Sequence, residues 1–137
     1  MKRVIARTVA AAACGLGLAL AAGPALAQKG LDEPFQAQFK SALSGKTVAY
    51  IPVSMNFDLT EGWFAGVKKE LEPYGMKVIV RDPNWSTNAG AQALTTLISE
   101  KPAAIIVHNP DVQTYARLMQ RAEAEGIHII QINMGSV

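Results

Sequence analysis

The sequence predicts an α/β fold, a doubly wound parallel sheet with helices crossing between its strands. Three observations carry that prediction. Four short apolar runs, Thr47–Val53, Met76–Arg81, Ala103–Val107 and Ile127–Ile132, recur along the chain. The segments between them place apolar residues at helical spacing. The third run, AAIIV, has no polar residue at all, the pattern of a strand covered on both faces in a parallel sheet. Strand–helix alternation of this kind requires right-handed crossovers.

The chain has 137 residues, enough for one domain at most. Its start reads differently from the rest. Lys2, Arg3 and Arg7 precede an Ala-rich apolar run from Thr8 to Ala22, and the triplet Ala25-Leu26-Ala27 follows Gly23-Pro24. A basic stretch, an apolar stretch and an A-x-A triplet read as a secretory signal peptide over 1–27, with cleavage before Gln28. A membrane anchor fits less well, because the run falls short of the roughly 20 apolar residues a span needs. The one cysteine, Cys14, lies inside this segment. A lipoprotein site there would leave a very short apolar run interrupted by Arg7. The rest of the chain therefore has no disulfide or thiolate chemistry.

The formal charge of +2 also belongs to the leader. Of 13 Lys and Arg, three precede Gln28, leaving 10 against 11 Asp and Glu. That balance gives no electrostatic case for nucleic acid or an anionic membrane as partner.

Residues 28–45 form a mixed leader to the fold. Phe35, Phe39 and Leu43 fall at i, i+4, i+8, which suits a short amphipathic helix ended by Ser44-Gly45. The first strand follows, and Pro52 marks where its pairing stops. Asp58 and Glu61 stand at capping-box spacing, and Phe64, Val67 and Leu71 make an apolar stripe closed by Pro73 and Gly75. After the second strand, Ser86 or Thr87 can cap a helix carrying Ala91, Leu94, Leu97 and Ile98, stopped by Pro102. After the third strand, Val112, Tyr115, Ala116, Met119 and Ala122 mark the last helix, ended by Gly126.

In open α/β sheets ligands bind beyond the carboxyl ends of the strands, where the strand order reverses. That rule selects four loops: Ser54, Asn56, Phe57 and Asp58; Asp82, Asn84 and Trp85; His108, Asn109 and Asp111; Asn133 and Ser136. Side-chain amides and carboxylates bond hydroxyls, and aromatic faces pack on the C–H face of a sugar or polyol. The ligand-facing candidates are Asn56, Phe57, Asp58, Asp82, Trp85, Asn109 and Asn133. Each has a structural alternative. Asp58 and Asp111 fit helix caps, Asp82-Pro83-Asn84 and Asn109-Pro110-Asp111 fit turns, and Trp85, like Trp63, fits packing. Enzyme signatures are missing: there is no G-x-S-x-G elbow, phosphate loop or G-x-G-x-x-G. His108 and His128 are isolated, which makes a poor metal set, and no cofactor is expected.

These residues resemble a known family. A strand ending in Ser54 and an aromatic/Asn loop comes first. Then come Gly66-Val-Lys-Lys-Glu-Leu71 closing at Gly75, Val78-Ile-Val-Arg-Asp82, Ala104-Ile-Ile-Val-His-Asn-Pro110 and Ala122-Glu-Ala-Glu-Gly-Ile127. In order and spacing, behind a signal peptide, they resemble the amino-terminal lobe of type I periplasmic sugar-binding proteins, the ribose-binding-protein-like solute receptors of ABC importers. The resemblance implies a strand order of 2-1-3-4 and ligand contacts from Asn56, Phe57 and Asp58. It implies a periplasmic, monomeric protein whose partners are a small polar ligand and an inner-membrane ABC permease. It also implies two lobes closing on the ligand, so that 46–137 is an incomplete amino-terminal lobe and the chain a truncated one. With that strand order the first crossover helix covers one face and the next two the other, leaving the fourth strand an apolar open edge. The family often places Asp-Arg after the fourth strand, where this chain has Asn133-Met134. Losing the carboxylate and the guanidinium fork leaves the ligand open between a sugar, a polyol and another small polar solute.

The function expected is the substrate-binding component of an importer, without catalysis. The alternatives are a ligand-sensing lobe of a chemoreceptor adaptor or sensor, and an exported α/β enzyme. Sugar-responsive repressors share the lobe but carry a DNA-binding segment where this chain has a leader.

Overall fold

A computed structural model describes residues 33–135. The predicted signal peptide and its cleavage point, and Ser136, lie outside the described residues. Helix α1 (Glu33–Leu43) precedes β1 (Thr47–Ile51). Next come α2 (Asp58–Leu71), a 3-10 turn (Glu72–Tyr74), β2 (Lys77–Val80) and α3 (Thr87–Glu100), and then β3 (Ala104–His108), α4 (Ala116–Ala124) and β4 (His128–Ile132). The four strands form one parallel sheet in the order β2-β1-β3-β4. The doubly wound α/β fold and its strand order are those expected. β1 lies inside the sheet, with Tyr50 level with Val80 on one side and Ile106 on the other.

Alternate residues of the inner strands feed two cores. Ala49, Ile51, Ile105 and Val107 face α3 and α4, meeting Leu94, Leu97, Ile98, Met119 and Ala122. Val48, Tyr50 and Ile106 face the other way, onto Phe64, Val67 and Leu71 of α2 and Leu43 of α1. Ring stacking of Tyr50 on Phe64, centroids 6.1 Å apart, joins β1 to α2.

Several local expectations give way to the tertiary setting. The stripe on α1 does not bury: Phe35 and Phe39 are exposed, and Leu43 alone of the three reaches a core. The helix touches the body mainly through the 3-10 turn, and its two phenylalanines stay outside that contact. The Asp58–Glu61 capping box does not form. The N-cap of α2 is Phe57, in extended conformation at φ −157°, and it makes no side-chain cap bond. Thr60 ties this turn instead, its buried hydroxyl donating to the carbonyls of Ser54 at 2.7 Å and Phe57 at 3.0 Å. At α3 the expected cap holds, with Ser86 Oγ accepting from Ala89 N at 3.2 Å. α4 starts later than its apolar pattern. Asp111 Oδ1 accepts the backbone N–H groups of Gln113 and Thr114, both at 2.7 Å, and makes a turn where a helix would otherwise begin.

β4 is the exposed edge. Its residues His128, Ile130 and Ile132 align with Ala104, Ile106 and His108, and so share the α2 side of the sheet. α2 does not reach across it, and Ile130 remains 48% exposed.

Candidate functional site

The switch point lies between β1 and β3, because the chain leaves β1 for β2 on one side and returns to β3 on the other. Beyond the carboxyl end of β1 the chain turns through Pro52 and the fully buried Ser54. Ser54 Oγ accepts the Asn56 backbone N–H at 3.2 Å, which folds the loop back and turns Asn56 outward. From β2 the chain enters Asp82-Pro83-Asn84-Trp85, where Asn84 and Trp85 both take left-handed backbone angles, φ 47° and 67°. Asn enters that region readily, but a bulky residue such as Trp does so only with support. Asp82 Oδ1 accepts Asn84 N at 2.8 Å, and Trp85 N donates to Val53 O at 2.7 Å.

The two loops are joined side to side. Asn56 Nδ2 donates to Asn84 Oδ1 at 2.9 Å, and Met55 N donates to Asp82 Oδ1 at 3.2 Å. The Phe57 and Trp85 rings stack with centroids 5.5 Å apart and planes 18° from parallel. Trp85 keeps 66% of its surface exposed, so one apolar face stays open beside two amides. Of the expected site residues, the structure thus brings together Asn56, Phe57, Asp82 and Trp85, with Asp58 exposed at the first position of α2.

Asn109 and Asn133 form a second group. Asn109 is fully buried; its Nδ2 donates to Gln131 Oε1 at 2.8 Å and to Met134 O at 2.9 Å, latching the exit of β3 to that of β4. Asn133 is exposed on the resulting turn, at φ 74°. Between the two groups sits His108, the last residue of β3. It is buried, its Nδ1 has no partner among the described residues, and its ring tilts on Trp63 of α2 at 5.4 Å. Burial holds its pKa below the ordinary imidazole value.

Ser54, Asn84 and His108 belong to the loops that the sequence selects, though not to its seven ligand-facing candidates, and Trp63 was expected to pack. Ser54 and Asn84 are visible in the sequence as polar residues at strand exits, but their link spans 30 positions and emerges only from the β1–β2 pairing.

A cleft of about 170 Å³ opens here between Val53, Pro83 and Trp85 on one side and His108, Pro110 and Tyr115 on the other. A larger hollow of about 620 Å³ lies at the opposite end of the sheet, among Thr47, Lys101, Ala103 and Gly126. It is an open groove between the starts of the strands, away from the switch point. The candidate site is the pair of joined loops at this end of the sheet, and of their lip residues Trp85 also lines the smaller cleft. Among the described residues no group of three or more His, Cys, Asp or Glu is placed to hold a metal ion.

Fold and loops together define an α/β lobe that carries a polar, aromatic lip at its switch point. Residues 48–136 match the family model for the periplasmic binding protein domain, and the chain belongs to that family. The architecture is part of the type I fold of these proteins. No curated protein matches the chain. Among solved structures it is similar to an ABC transporter solute-binding protein from Clostridium phytofermentas with bound L-rhamnose, at TM-score 0.63 and 19% identity over 69% of this chain and 30% of that one. It is similar to another from Agrobacterium vitis with bound allitol, at TM-score 0.63 and 23% identity over 69% and 32%. It is also similar to a LacI family transcriptional regulator from Silicibacter pomeroyi, at TM-score 0.55 and 21% identity over 62% and 31%. The chain thus spans about a third of the length of the solved proteins it resembles.

Proposed function

We propose that this chain supplies a ligand-binding lobe of an exported solute receptor for an ABC importer, taking a sugar, a polyol or a similar small polar solute. One observation carries the reading: the Asn56–Asn84 hydrogen bond and the Phe57–Trp85 stack unite two loops into one polar and aromatic lip at the switch point. Such a surface suits a ligand with hydroxyls along its edge and C–H groups on its face. In this reading Asn56, Phe57 and Trp85 touch the ligand directly, with Asp58, Asn109 and Asn133 around them. Asp82 acts mainly by fixing the loops. Residues 1–27 are a signal peptide, 28–45 a leader, and 46–137 part of an amino-terminal lobe that closes on the ligand against a second lobe. The receptor works as a monomer in the periplasm, delivers to an inner-membrane permease and catalyses nothing. The family match and the solute-binding proteins of the same fold support this.

Amide NMR spectra of the chain, titrated with L-rhamnose, D-allose and allitol, test the binding claim. Shifts should centre on Asn56, Phe57, Trp85 and Asn133. Titrations that leave all four unmoved at tens of millimolar overturn it. The export claim is checked by the mass of the protein recovered from the periplasm, which should begin at Gln28.

A further inference from the structure

The lip is wired with a definite hydrogen-bond polarity. Ser54 is buried, and its Oγ is already the acceptor for Asn56 N. A buried hydroxyl that accepts must also place its proton, and the acceptor in reach is Asn84 Oδ1 at 3.5 Å. Oxygen, not nitrogen, therefore faces inward from Asn84. The same oxygen accepts from Asn56 Nδ2, so the nitrogen of Asn56 is turned toward Asn84. The backbone of Asn84 is anchored beside Asn56 at φ 47° by the bond from its N–H to Asp82 Oδ1, and that oxygen also grips Met55 N. What remains of the Asn56 amide for the open side is Oδ1, an acceptor with no partner among the described residues.

We infer that Asn84 is a positioning residue that orients Asn56 as a hydrogen-bond acceptor, so that the lip selects ligands presenting donors, hydroxyl or ammonium, over carboxylates. Charge around the lip points the same way. Asp58 and Asp82 stand on its two loops, and the adjacent cation, Arg81, is paired with Glu100 at 3.1 Å. An anionic group would meet an acceptor oxygen and two carboxylates, with the neighbouring cation among the described residues, Arg81, already engaged by Glu100. The inference deepens the proposed function and rests on the lip being the ligand site, whereas the relay itself can be read without any ligand.

The test has two arms. In the ligand-free chain, NMR exchange measurements should show the Asn56 side-chain amide protected from water and that of Asn84 not. Asn84→Asp, which keeps the acceptor, should preserve the protection, and Asn84→Leu should abolish it. The reverse pattern, with the Asn84 amide protected, overturns the inference. In the second arm sorbitol, glucosamine and gluconate are titrated as probes. Sorbitol and glucosamine should bind at least about tenfold more tightly than gluconate. Asn84→Leu should erase that preference while Asn84→Asp retains it, in each case with the ligand-free backbone amide shifts of Asn56 and Trp85 kept, which separates the relay from loss of loop structure at this left-handed position. If all three probes bind alike while the first arm holds, the inference fails and the binding reading stands. If none of them shifts any loop, the ligand-site reading fails and takes the inference with it.

Discussion

Gly90 shows how tightly one position can be specified. A Cβ added there would lie 1.8 Å from the hydroxyl of Tyr115 and 2.7 Å from its ring carbon, so α3 and α4 approach through this glycine. Gly90→Ala should destabilise the fold by about 1–3 kcal/mol or more through overpacking. Urea denaturation should also find a smaller penalty in a Tyr115→Phe background, which removes the nearer atom but not the ring. Thr60 makes the second residue-scale case. Its hydroxyl lies within reach of two carbonyls beside the candidate site, and Thr60→Val should cost about 1–3 kcal/mol by leaving the Ser54 carbonyl without its donor, while the Phe57 carbonyl keeps the backbone N–H groups of Thr60 and Glu61. Neither role was legible in the sequence. The acidic pair Asp58 and Glu61 looked like the cap, yet Thr60 holds the turn, because a serine carbonyl six residues upstream is folded against it. Asn84 was legible as a turn residue, and its partnership with Asn56 was not.

At the scale of elements, β4 is the most exposed commitment of the fold. Its run Ile127–Ile132 has strong β propensity and no net charge to keep other strands away. Ile130 is half exposed on a free edge. Ile130→Lys should leave stability within about 0.5 kcal/mol of the parent while slowing aggregation, as light scattering at matched concentrations would register. Equal or faster aggregation of the variant would mean that this edge is not where chains meet. The strands were readable because each is a compact apolar run between breakers. Helix boundaries were less so. The apolar pattern of α4 extends back to Val112, but the Asp111 carboxylate captures two backbone N–H groups and postpones the helix to Ala116. On α1 a stripe was present with nothing to cover it, since periodicity records which face is apolar and not whether a partner surface exists.

At the scale of the whole molecule, pH should act through His108. Burial lowers its pKa below 6.5, so the unfolded chain binds a proton more readily than the folded one. The stability this contributes is complete above about pH 6.5 and is lost as the pH falls from there through the folded pKa. Denaturation curves across that range should slope downward toward acid, and His108→Gln should flatten the slope. An unchanged slope would assign the acid sensitivity elsewhere. Asp111, whose carboxyl is held below its usual value chiefly by the Thr114 hydroxyl, has the same sign but acts in a more acidic window, below 3.8.

By itself, the sequence determined the alternation of strands and helices, and with it the parallel sheet and the end of that sheet where a ligand cleft belongs. Those properties follow from local periodicity and from the handedness of crossovers, which need no distant partner. Resemblance to a known family added the strand order. Only the tertiary structure decided which polar loop residues face each other. Asn56 and Asn84 lie 28 positions apart and meet because β1 pairs with β2, and Asn109 reaches Gln131 because β3 pairs with β4. A hydrogen bond depends on angles and on ångström-scale distances that strand pairing sets and local sequence does not. That is why the region of the candidate site could be proposed from sequence and the hydrogen bonds within it could not.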